Sequence, residues 1–197
     1  MKNLNPIELI DGYKKLISDK DSASLKKLFK EAIEAPFVPF PVETTRTPEK
    51  ARIFLGYKDN QLYAILVRGT GKFDQSTYTK MKYYIASFSK FNLPKVNSLK
   101  EANLSNPNEI SFDAFSKRVE LLGKECNQWV DENLKNSTFV EYFEITLNNF
   151  KNNANNKCVL GLYKDSEKNM QNRIDIITVN DAYMDVTRPV PPFKPTF

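Results

Sequence analysis

The chain has 197 residues, 41% hydrophobic and 27% charged, with a formal net charge of +5 at pH 7 and no histidine. This balance argues against whole-chain disorder and against a membrane protein; the length predicts a single α+β domain over residues 1–187 followed by a proline-rich tail over 188–197. Without imidazole the chain cannot perform Ser-His-Asp or Cys-His catalysis, build a histidine zinc site or use the usual general base near neutral pH.

Met1 to Ile10 carries one lysine and no apolar run of signal-peptide length, and no later stretch approaches the ~18 apolar residues of a spanning helix, so a cytoplasmic location and no membrane contact are expected. Cys126 and Cys158 lack any paired spacing and read as reduced core residues. Basic side chains are in excess over residues 36–105 and acidic ones over 106–156, which polarises the charge. The chain's richness in lysine and asparagine weakens any argument from charge alone.

In chain order, Asn5 and Pro6 form an N-cap and first-turn proline, and Ile7, Ile10, Leu16 and Ile17 space a helix to about Ser18. Asp21 or Ser22 caps a second helix, striped by Leu25, Leu28, Phe29 and Ile33, which stops before Pro36. Ala35 to Val42 alternates three prolines with apolar residues and reads as an extended connector. Arg52 to Lys58 and Gln61 to Arg68 form a hairpin around Asp59-Asn60, both of which tolerate positive φ. Residues 75–89 are read as a helix, with Tyr78, Met81, Ile85 and Phe88 at helical spacing; Lys80 to Phe88 as a third strand is the alternative.

A long connection follows over 90–110, with a helical turn near Ser98 to Ala102. Ser111 then opens the strongest periodic segment, Phe112, Phe115, Val119, Leu122, Cys126 and Trp129, a helix to about Leu134. Phe143, Ile145 and Leu147 alternate with polar residues as a half-buried strand from about Phe139. Lys157 to Lys164 and Arg173 to Asn180 form a second hairpin, whose Leu160-Gly161 repeats the wording of Leu55-Gly56 in the first. The expected fold is α+β: an antiparallel or mixed sheet of about five strands including the two hairpins, packed by the long amphipathic helix, with two short N-terminal helices.

For chemistry, Asp165 with Glu167 and Asp181 with Asp185 are carboxylate pairs near strand ends, read as turn and cap residues rather than metal ligands. Arg68 to Lys72 looks like a phosphate loop at a glance, but Leu66 stands where the first glycine belongs and Phe73 where the hydroxyl belongs. No cofactor or metal is expected. The main expectation is a non-enzymatic structural or protein-interaction subunit of a cytoplasmic assembly. Its partners would be other subunits or a second copy of itself, reached through Phe37, Phe40, Arg188, Pro189, Pro192, Phe193 and Phe197, because pre-extended proline segments lose little entropy on docking. The alternative is a nucleic-acid-binding module using Arg68, Lys72, Lys80, Lys82, Tyr83, Lys90 and Lys95 with interleaved aromatics. A magnesium-dependent carboxylate enzyme is the third.

Overall fold

The structure is a computed structural model that describes residues 4–41, 49–90, 109–147, 150, 156–164, 173–179, 183–185 and 188–190. Helix α1 (Pro6–Ser18) begins where the Asn5 side chain accepts the backbone N–H of Ile7 at 2.9 Å, and α2 (Ser22–Glu34) where Asp21 accepts that of Ser24 at 3.0 Å. Each cap satisfies donors that a helix start leaves open. The Ser111 hydroxyl does the same for α3 (Phe112–Asn136), accepting from the N–H of Ala114 at 3.1 Å, and Ser137 ends that helix at a left-handed φ of 54°. Asp113–Lys117 and Glu120–Lys124 ion pairs span its surface at 2.7 and 2.8 Å.

Among the described residues, ten strands form two antiparallel sheets. One sheet orders β1 (Phe37–Pro39), β7 (Lys157–Tyr163), β8 (Arg173–Val179), β9 (Tyr183–Met184) and β5 (Glu109–Ile110). The other orders β10 (Arg188–Val190), β6 (Tyr142–Thr146), β2 (Lys50–Lys58), β3 (Gln61–Arg68) and β4 (Tyr83–Ser87). The α+β class holds, and the two expected hairpins form, but each seeds a sheet of its own. Asp59 and Asn60 turn the first hairpin with φ of 51° and 60°.

Residues 75–89 correct the expected helix. Only a 3-10 turn forms, at Tyr78–Lys80, and Tyr83–Ser87 pairs along β3 from Val67 to Tyr63. The helical spacing there gives way because β3 offers an open edge to a run rich in aromatics, which fit a pleated surface. Within the described part of the expected connector, Phe37–Pro39 is extended and pairs as β1 with β7, Phe37 opposite Val159; Val42 lies outside the described residues. The turn expected near Ser98 to Ala102 lies outside the described residues.

The inward residues of both sheets share one core with α2 and the C-terminal half of α3. Ile53, Leu66, Phe143, Leu160 and Ile176 meet Phe29 and Trp129 there, the last two rings edge to face at 5.1 Å. On the other face of β7 and β8, Val159, Ile177 and Val179 pack under Phe115 of α3. Both faces of that hairpin are buried, so its strands read as continuous apolar runs. Outside β2 and β3, Phe54, Ile65 and Val67 receive Leu9 and Ile10 of α1.

Glycines let the helices approach. A Cβ at Gly12 would stand 2.4 Å from the Tyr57 carbonyl oxygen, one at Gly56 2.8 Å from the Leu9 Cβ, and one at Gly161 3.1 Å from the Arg118 Cβ. The repeated Leu-Gly wording of the two hairpins thus marks one packing device used twice. Leu55 and Leu160 enter the shared core, while Gly56 and Gly161 each lie under a helix.

Gly12 and Gly123 are both interior to helices, where alanine ordinarily gains about 1 kcal/mol over glycine. At Gly123 an added methyl meets only Ile33 at 3.7 Å, so Gly123→Ala stabilises the protein by about 0.5–1 kcal/mol. Gly12→Ala drives the methyl into a strand carbonyl and destabilises it by about 1–3 kcal/mol. Urea midpoints with unchanged m-values read both signs.

Candidate functional site

The C-terminal ends of α1 and α3 come together beside β2 and leave a cavity of about 410 Å³. Ile10, Tyr13 and Ile17 supply one wall from a single stripe of α1; Leu134, Phe139 and Val140 supply the other, and Leu55 reaches it from β2. The second wall is held by Asn133, whose side-chain amide donates to the Trp129 carbonyl at 2.8 Å and accepts from the Thr138 hydroxyl at 2.8 Å. The Thr138 N–H also donates to the Asn133 carbonyl at 3.0 Å, and Phe139 meets the Trp129 ring edge to face at 5.2 Å. The left-handed Ser137 and this buried amide fix the turn that shapes the wall.

Tyr13 is 2% exposed, and its hydroxyl is closed to solvent with no hydrogen-bond partner among the described residues. An unmade bond of this kind costs about 1–3 kcal/mol. Burial pushes the phenol far above its ordinary value, so it stays a donor at every pH the fold meets. At the rim, Lys14 Nζ pairs with Glu141 Oε1 at 3.1 Å, and Lys20 lies nearby.

A second cluster sits where α3 crosses β7 and β8. Asp175 has no exposed surface; its oxygens accept from Arg173 at 2.9 and 3.2 Å, and Arg118 lies 3.6 Å away. Arg118 also binds Asp185 at 2.8 Å, and both guanidiniums stand over the Tyr163 ring, at 4.7 and 5.4 Å. Gly161 opposite Asp175 makes room for the Arg118 stem. Burial pushes the Asp175 carboxyl up to about 6, against the opposing pull of Arg173 and Arg118. With both arginines committed to carboxylates, this cluster reads as the pin that fastens α3 to its sheet.

The sequence-derived candidates scatter. Phe37 and Phe40 are 4% and 0% exposed, so both belong to the chain's own core rather than to a surface. Arg188 and Pro189 lie in β10, paired with β6 opposite Glu144 and Phe143, while Pro192, Phe193 and Phe197 lie outside the described residues. Of the basic set, Arg68 binds Glu49, Nε to Oε1 at 2.9 Å, and Lys72 binds Asp74 at 2.7 Å. Lys80, Lys82 and Lys90 are exposed, Tyr83 is half-buried beside Phe73, and Lys95 lies outside the described residues.

Asp165, Glu167 and Asp181 fall outside the described residues too, and Asp185 is taken by Arg118. Among the described residues no three acidic or cysteine side chains come together as metal ligands would, and no helix is long and apolar enough to cross a membrane. Both cysteines are buried free thiols, with burial pushing Cys126 up to about 11 and Cys158 higher still.

Tyr13 and Asn133 went unmarked in the sequence. The available signal was a tyrosine in line with Ile10 and Ile17, an apolar stripe carrying one polar tip. No protein-family model matches this chain, and no curated protein or solved structure is significantly similar to it.

The raised Asp175 pKa gives a signed pH dependence. The native state holds this proton up to about pH 6, whereas the unfolded chain releases it near 4, so stability falls as pH rises through that window. Asp175→Asn removes the effect: relative to wild type, the variant gains about 3 kcal/mol between pH 4 and pH 7. Urea unfolding at stepped pH measures it.

Proposed function

We propose that this chain acts by binding rather than by catalysis, and that its binding site is the cavity between α1 and α3, which takes a small apolar molecule. The observation that carries this reading is the cavity itself. A cavity of about 410 Å³ falls within the ~300–1,000 Å³ of ligand pockets. Its walls are mainly apolar, so burial of apolar ligand surface supplies the driving force. Its shape is set before a ligand arrives, by the Asn133 hydrogen bonds and the Phe139–Trp129 contact, which lowers the ordering cost of binding.

This moves the binding role away from the proline-rich segments. Phe37 and Phe40 are already spent on the core, whereas the cavity walls are complete within the described residues.

The hydrocarbon 2-isopropylnaphthalene, followed by its own fluorescence, tests the reading. Wild type is expected to bind it saturably at one site, with stability raised by about 1.4 kcal/mol at ten times Kd. Ile17→Trp, at a half-buried wall position, fills the space and abolishes binding while circular dichroism stays unchanged. Absence of saturable binding to wild type, or equal binding to the variant, refutes the proposal.

A further inference from the structure

We infer that the segment after β10 regulates the cavity: Phe193 enters it from the chain's own tail, and a ligand binds by displacing that ring. The inference rests on the cavity reading above and adds a competitor for the same space.

Strand β10 aims the chain at the cavity. Its register sets Arg188 opposite Glu144, Pro189 opposite Phe143 and Val190 opposite Tyr142. As the sequence runs on to Pro191 and Pro192, the same count steps back to Glu141 and Val140, and both of these line the cavity. Among the described residues β10 is the edge of its sheet, with β6 its one neighbour. Successive residues of a strand turn their N–H groups to opposite sides, so one of two successive prolines must leave a ladder position without its donor. Regular pairing with β6 therefore ends at this pair, beside the cavity wall.

Phe193 is the first residue beyond the two prolines, at most ~10 Å of extended chain from Val190. Val140 stands two residues before Tyr142, at most ~7 Å away along the chain, so the ring reaches the wall without stretching the backbone. The wall suits it: Ile10, Ile17, Leu134 and Val140 are apolar, and a phenylalanine ring buries roughly 150–250 Å². Pro191 and Pro192 restrict the segment before it docks, which lowers the ordering cost. The tether favours this occupant over a free one, because a short linker holds its ring at an effective concentration on the order of millimolar. No net charge at the rim opposes entry, since Lys14 and Glu141 neutralise one another at 3.1 Å.

Binding of 2-isopropylnaphthalene to the intact chain reads the competition. Phe193→Ala is expected to bind it about five- to tenfold more tightly than wild type, as the open fraction rises from roughly 10–20% to nearly all. A thermal cycle locates the ring. Phe193→Ala lowers the melting temperature of the unliganded protein by roughly 2–4 °C in the wild-type background and leaves it unchanged beside Ile17→Trp, where the space is already filled. Equal affinity of wild type and Phe193→Ala, or the same melting shift in both backgrounds, overturns the inference; the cavity reading then stands if Ile17→Trp still abolishes binding. Failure of both wild type and Phe193→Ala to bind defeats the cavity reading and this inference with it.

Discussion

The close approach of helices to strands is the constraint on which the other features depend. The centre of α1 lies on β2 with Gly12 against the Tyr57 carbonyl and Gly56 against Leu9, and neither contact leaves room for a methyl group. That seating lets one helix serve two cores: Leu9 and Ile10 cover the outer face of β2 and β3, while Tyr13 enters the core shared by both sheets. Arg118 over Gly161 does the same for α3, whose first turns lie on Ile177 and Val179 and whose later turns meet α2. The cavity lies where these two helices end, so its position follows from contacts set by missing side chains several residues away.

Much of the fold is legible in the sequence because it rests on local chemistry. Asn5, Asp21 and Ser111 announce their helices through short polar side chains that reach a nearby N–H, and Asp59-Asn60 announces a turn by tolerating positive φ. Segments decided by distant partners are not legible. Tyr83–Ser87 carries apolar residues that satisfy either period, and only the free edge of β3 settles it. Two- and three-residue strands such as β5, β9 and β10 are too short to hold a period at all.

The site is less legible, for the same reason. Phe37 and Phe40 sit among prolines, which suggests a segment outside the sheets, yet Phe37 pairs with β7, the Phe40 N–H donates to the Asn156 carbonyl, and both rings are buried. Tyr13 looks like one more residue of an apolar stripe. Its place beside a cavity becomes visible only when Leu134, Phe139 and Val140, more than a hundred residues later, line the same space. Asp175 reads as a polar break in a strand until Arg118 arrives from α3.

The two sheets draw on interleaved stretches of chain. β1 waits for β7, and β2 has β3 beside it at once but must wait for β6, while β10 closes that sheet only after β7 and β8 have formed theirs. During synthesis on the ribosome, the early hairpin therefore emerges with its β6-facing edge unpaired and its inner face uncovered. Such topologies fold slowly and expose sticky intermediates, so that apolar surface stays open to wrong contacts until the later strands arrive.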